Sequence, residues 1–138
     1  MQKPFKEIDH SGDVGIEARG ADMAELLANA TLGLFGLVRR VMPDSSVDRE
    51  IRVESSSAED LLVDWLSEAL SLMGVHGEVY ATVEITNHGE WFAEGILRGE
   101  RTDPERHDLR FDVKAATYHG LRVEHTENGF VGRVIFDL

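Results

Sequence analysis

Apolar positions along this chain repeat with two periods, and the change between them divides it into elements. Leu26, Leu27, Ala30, Leu34, Leu37, Val38 and Val41 fall on one helical stripe. Asp22 stands before the stripe as an N-cap with Glu25 three residues on, and Pro43 sets the limit beyond which the helix cannot run. A second stripe comprises Leu61, Leu62, Trp65, Leu66, Ala69, Leu70 and Met73. Ser57 caps its start, Asp60 takes the capping-box spacing, and Gly74 and Gly77 bracket its end. Elsewhere the period is two. Residues 5–9 and 14–19 predict short strands, with Gly12 and Gly15 allowing a bend. Residues 49–55 alternate around Ile51 and Val53 and predict another strand. The second half predicts strands at 79–86, 91–99, 111–118, 121–125 and 130–136. Turns are expected at 87–90 and 127–129, and a loop at 102–106. The order is strand, helix, strand, helix, then a run of strands. It predicts an α+β fold, a two-layer sandwich with two main helices on one face of a mixed or antiparallel sheet. No linker or low-complexity stretch interrupts it, so a single domain is expected over 1–138.

Composition narrows the partners. Fourteen basic residues stand against 26 acidic ones, a net charge of −12. Such a chain repels the phosphate backbone, and direct nucleic-acid binding is not expected. A cation or a basic protein suits it better. There is no cysteine, which removes disulfides, thiolate metal sites and cysteine nucleophiles together. No apolar run reaches the roughly 18 residues of a membrane helix, and the start Met1-Gln2-Lys3-Pro4-Phe5 lacks the apolar core of a signal peptide. A cytoplasmic protein without a membrane partner is expected.

Candidate chemistry gathers at the two ends. Asp9, His10 and Asp13 put two acids and an imidazole into five residues. In an extended segment Asp9 and Asp13 would share a face and His10 take the other, an arrangement that a bend at Gly12 would change. At the far end Asp137-Leu138 follows directly on an apolar strand, offering an Asp side chain and a main-chain carboxylate. If the ends meet, three anionic oxygen groups converge and require a cation, and an all-oxygen set suits Ca²⁺, Mg²⁺ or Mn²⁺. The same Asp, Ser and Gly residues also fit a plain turn capping its own backbone. Lys114 lies in the strand expected at 111–118 and His119 directly follows it; an unpaired buried lysine there would be unusual, and pairing with one of the acids, or contact with an anionic ligand or partner, would account for it. His76, His88, His107 and His125 fall at predicted turns or strand ends and are expected at the surface. The loop with Asp103, Glu105, His107 and Asp108 is expected to be solvated. No phosphate-cradling glycine loop or nucleophile elbow is present, so no catalytic residue is assigned.

Three motifs in order then carry a resemblance: Asp9-His10-Ser11-Gly12-Asp13-Val14-Gly15-Ile16, Val113-Lys114-Ala115-Ala116-Thr117-Tyr118-His119, and Val134-Ile135-Phe136-Asp137-Leu138. Together with the helical segments around Glu25 and Leu61, they make the chain resemble the archease family over essentially its whole length. The resemblance implies a small acidic, non-enzymatic accessory of an RtcB-type RNA ligase, acting in tRNA splicing or RNA repair. It would promote guanylylation of the ligase from GTP and restore multiple turnover. The resemblance also implies a divalent cation held by Asp13, Asp137 and the carboxylate of Leu138, with His10, Lys114 and His119 nearby as supporting or partner contacts. The family usually carries Thr-Ala where Ser11-Gly12 stand and Val where Ala116 stands; both changes leave the acids intact. Two rivals remain: a metal-dependent phosphoesterase with His10 or His119 as base, and a metal-independent chaperone or adaptor.

Overall fold

Residues 4–138 are described by the computed structural model, His10 by its backbone alone. The first strand, β1 (Phe5–His10), turns back at Ser11-Gly12 into β2 (Asp13–Gly20). Ser11 (φ 35°) and Gly12 (φ 91°) both take positive φ, the geometry of a tight two-residue hairpin. Gly15 takes no part in this bend. It lies within β2, where a Cβ would stand 2.8 Å from the carbonyl oxygen of Val134.

Helix α1 (Met23–Val38) starts where Asp22 accepts the amide of Glu25 at 2.8 Å. It ends at the extended residue Arg39, so Val41 lies past the helix and is 43% exposed instead of joining the stripe. After β3 (Val47–Glu54), the Ser57 hydroxyl caps α2 (Ala58–His76), and Gly77 in the left-handed region closes it. The hairpin β4 (Glu78–His88) and β5 (Phe92–Arg101) follows. One turn of helix, α3 (Pro104–His107), replaces part of the expected loop, with Asp103 as its N-cap.

The expected strand over 111–118 reduces to β6 (Ala115–Ala116). The cause is competition for the backbone. The amides of Arg110 and Phe111 donate to the Val38 and Leu37 carbonyls at the end of α1, at 2.9 and 3.1 Å, which holds this run away from the ladder. The chain ends in β7 (Arg122–Thr126) and β8 (Gly129–Asp137).

The α+β expectation is borne out, and the strands divide into two antiparallel sheets that the hydrophobic pattern does not distinguish. One has the order β1-β2-β8-β6, with β7 pairing an earlier stretch of β8; the other has the order β3-β5-β4. Helix α1 packs on β2 and also on β4, and α2 packs on β3, so the helices join the sheets. Ile16, Leu26, Leu34, Leu62, Trp65, Leu97 and Phe136, all at most 1% exposed, form one core between them.

An ion pair is set into the second sheet. Glu78 is 6% exposed and accepts from Arg49 at 2.8 and 2.6 Å and from the Tyr80 hydroxyl at 3.0 Å. The Arg49 guanidinium holds the Glu78 carboxyl below its ordinary value, and burial followed by Glu78 itself pushes the Tyr80 phenol up. A depressed carboxyl contributes stability above its unfolded pKa and loses it as pH falls through the folded value. Glu78→Gln is therefore expected to cost about 2 kcal/mol at pH 7, the worth of hydrogen bonds to a charged group. The difference from wild type should shrink as the pH falls below the ordinary carboxyl range and through the lowered value of folded Glu78, where the wild-type carboxyl is protonated as well. Urea midpoints across that range check it; a gap that stays constant into acid would show that the charge of Glu78 contributes nothing.

Candidate functional site: the Asp13–Asp137 strand ends

The ladder between β2 and β8 runs from Gly20↔Phe130 to Val14↔Phe136. One step further along the same register, Asp13 and Asp137 are the next residues, on strands about 4.8 Å apart. The two ends of the sequence therefore do meet. On the other side of β8, Ala115 pairs with Asp137, and the Lys114 amide donates to the Asp137 carbonyl at 2.9 Å. The segment is further fixed by Thr117, whose amide and hydroxyl both donate to the Ile135 carbonyl, at 3.0 and 2.8 Å. Lys114 thus flanks Leu138.

The hairpin corrects one expectation about the first motif. Because the chain reverses at Ser11-Gly12, Asp9 pairs with Val14 and His10 with Asp13. Opposed residues in an antiparallel pair share a face, so Asp13 shares its face with the His10 position and Asp9 belongs to the other. The predicted role of the His10 side chain lies outside the described residues. Lys114 and His119 are both exposed, His119 in the turn that follows β6. Lys114 forms no ion pair with the acids among the described residues, so its charge is not explained by a buried pair.

Asp13 is half-buried, and Asp137 and Leu138 are exposed. Among the described residues no three His, Cys, Asp or Glu side chains stand close enough to hold a metal. By register the Asp13 and Asp137 positions are opposed on neighbouring strands, with the main chain of Leu138 next in sequence. Like charges directly opposite on paired strands destabilise each other, and a cation between them reverses the sign. An all-oxygen donor set fits a hard divalent ion and not a thiophilic one.

Comparison with known proteins gives the family. Residues 5–138 match the Archease protein family. The chain belongs to that family. An archease of Methanosarcina mazei is 31% identical, with 99% of this chain and 97% of the relative covered. An archease of Methanopyrus kandleri is 32% identical, with 98% and 99% covered. The solution structure of protein 1598 of Methanobacterium thermoautotrophicum superposes with a TM-score of 0.82 at 28% identity, covering 99% of this chain and all of the other. A crystal structure of an archease from Thermotoga maritima, described as a possible chaperone, shares the fold with a TM-score of 0.68 at 21% identity; 100% of this chain and 98% of that one are covered. No helix among the described residues of this archease is long and apolar enough to cross a membrane.

One histidine departs from expectation. His107 is fully buried, not at the surface. Its Nδ1 accepts the Asp103 amide at 2.9 Å, which leaves the proton on Nε2, 3.2 Å from Glu100. Glu100 in turn accepts the Asp44 amide, the first cause of its lowered pKa, and binds Arg106. The imidazole thus ties α3 to the end of β5. The signal available in the sequence was Asp103-Pro104, an N-cap followed by proline at the first helical position.

Proposed function

We propose that this member of the archease family is a non-enzymatic activator of an RtcB-type RNA ligase, promoting its guanylylation and turnover in tRNA splicing or RNA repair. A divalent cation held by Asp13, Asp137 and the main-chain carboxylate of Leu138 would serve that role, with Lys114, His10 and His119 around it. The observation that carries the reading is the register that sets Asp13 beside Asp137, with the Lys114 amide on the Asp137 carbonyl. Family membership makes the ligase the partner of choice, and the net charge of −12 suits an approach to a basic RNA channel. When bound, the cation would supply a positive centre at the strand ends. The chain's own residues hold that centre at one place, since Asp13 and Asp137 sit on adjacent strands.

The test is ligase guanylylation from GTP with and without this protein, and with Asp137→Ala beside wild type. Wild type is expected to accelerate adduct formation and Asp137→Ala to lose most of that effect. No acceleration with calcium, magnesium or manganese would sink the ligase reading. Equal acceleration by both proteins would keep the partner and reject the site. The description of the Thermotoga relative supports a second reading, a chaperone of other proteins. It predicts suppression of client aggregation that survives Asp137→Asn.

A further inference from the structure

The face of the first sheet that turns away from the helices is laid out in rows. Val14, Ile16, Ala18, Val134 and Phe136 enter the core, so the residues between them point outward. At the strand ends the row holds Asp13 and Asp137. The next, Ile8, Gly15 and Ile135, carries no charge. The third runs Lys6, Glu17, Arg133 and Arg122 across β1, β2, β8 and β7. The fourth sets Arg19 and Glu124 on either side of Val131. Beyond it, Gly129 and Thr126 are again uncharged.

The third and fourth rows hold a surplus of positive charge, with Lys6, Arg19, Arg122 and Arg133 against Glu17 and Glu124. Glu17 bonds to Lys6 at 3.0 Å, and Glu124 to Arg122 at 3.5 Å. Arg19 and Arg133, both half-buried, form no ion pair or side-chain hydrogen bond among the described residues. Glu25, which shares a cleft wall with Arg19, is turned to the Ala21 amide at 3.2 Å. Arg133 also stands directly opposite Arg122. Two like charges so placed repel, and an anion held between them turns the repulsion into attraction.

The geometry selects the anion. Opposed residues have Cβ atoms about 5 Å apart, and the diagonal from Arg133 to Arg19 is about 7–8 Å, a span over which arginine side chains converge on one small group. The charge to be matched is that of the two unpaired arginines. A phosphate monoester brings nearly two negative charges at neutral pH and three free oxygens for forked donors. A carboxylate brings one charge and two oxygens. A nucleic-acid backbone brings one charge per phosphodiester, as a polyanion against the field of a chain carrying −12.

We propose that Arg133, with Arg122 and Arg19 beside it, binds the phosphate of a phosphomonoester on this outward face. Asp13 and Asp137 lie four residues along β8, about 13 Å away. The site is therefore separate from the cation site and independent of the ligase reading.

The experiment titrates methyl phosphate into ¹⁵N-labelled protein in metal-free buffer at neutral pH and constant ionic strength, with dimethyl phosphate and acetate in parallel. Methyl phosphate should shift the Nε resonances of Arg133, Arg122 and Arg19 together and bind at least about tenfold more tightly than either control. Arg133→Gln should weaken binding at least about tenfold, and Arg133→Lys, which keeps the charge and loses the fork, by less. Arg101→Gln, at an exposed arginine of the other sheet that also forms no ion pair among the described residues, should leave binding unchanged. Thermal melts check that each variant folds. Equal affinity for acetate or dimethyl phosphate, full binding by folded Arg133→Gln, or an equal loss in Arg101→Gln would each overturn the proposal. Metal-free buffer keeps a cation at Asp13 and Asp137 from drawing the phosphate, and no ligase is present, so the ligase reading stands or falls separately.

Discussion

Trp65→Ala is expected to lose about 3–5 kcal/mol of stability, the range for removing a buried aromatic from a core that cannot collapse behind it. The side chain is 0% exposed and sits where both helices and the second sheet meet. Its indole N–H donates to the Thr31 hydroxyl at 2.9 Å, and that hydroxyl donates onward to the Leu27 carbonyl at 2.5 Å. The far edge of the ring lies over Gly95 of β5, where a Cβ would come within 3.2 Å of it. Removing the ring opens a cavity between helices and sheet and ends the hydrogen bond across α1 and α2. Two further variants separate these terms. Trp65→Phe keeps much of the volume and should cost less than Trp65→Ala. Thr31→Val keeps the ring but leaves a buried indole N–H without acceptor, at about 1–3 kcal/mol. Urea unfolding followed by circular dichroism reads all three. If Trp65→Ala lies within about 1 kcal/mol of wild type, the ring is not the joint between helices and sheet that its burial indicates.

The second large effect depends on the solution, and its sign reverses. With saturating calcium, Asp137→Asn should be less stable than wild type. In excess chelator it should be equally stable or slightly more so. Ligand at a hundred times its dissociation constant adds about 2.7 kcal/mol to a folded state that alone binds it. For a chain of this size that is a rise of several degrees in Tm. The variant should forgo most of it. Without cation, Asp13 and Asp137 oppose each other as like charges, which costs a few tenths of a kcal/mol up to about 1, and the amide removes that cost. Scanning calorimetry on both proteins, in chelator and in calcium, magnesium or manganese, gives the comparison. A wild-type melting point that ignores all three ions would leave the strand ends without a role as a cation site. A variant that responds as fully as wild type would move the ion elsewhere.

Local chemistry was the most legible level of this structure. Asp22, Ser57 and Gly77 mark helix ends because each satisfies backbone groups within a few residues, and such interactions are written in short windows. The turn at Glu127-Asn128 was legible for the same reason. What failed depended on distant partners. Val41 continues the stripe in sequence but stands outside once Arg39 leaves the helix and bonds to the Tyr80 carbonyl at 2.9 Å. The 111–118 run has strand composition, yet its first amides are claimed by the end of α1. His107 lies among polar residues, and only the fold encloses it. The pairing of Asp13 with Asp137 was visible as two suggestive ends, and the family resemblance joined them. Periodicity alone could not, because a register between strands at opposite ends of a sequence leaves no local mark.

The place of β8 has a consequence for how the molecule comes into being. It is the last of the strands in sequence, yet it occupies the middle of its sheet, bonded to β2 along one edge and to β7 and β6 along the other. A chain emerging from the ribosome can assemble β3, α2, β4 and β5 from one continuous stretch. The first hairpin, made much earlier, must wait with an open edge until the final residues arrive. Contacts so distant in sequence close slowly, and the waiting hairpin is the part of the nascent chain most open to mispairing. Assembly of this protein is therefore gated from its far end, and the step that completes the larger sheet is the same step that brings Asp13 and Asp137 together.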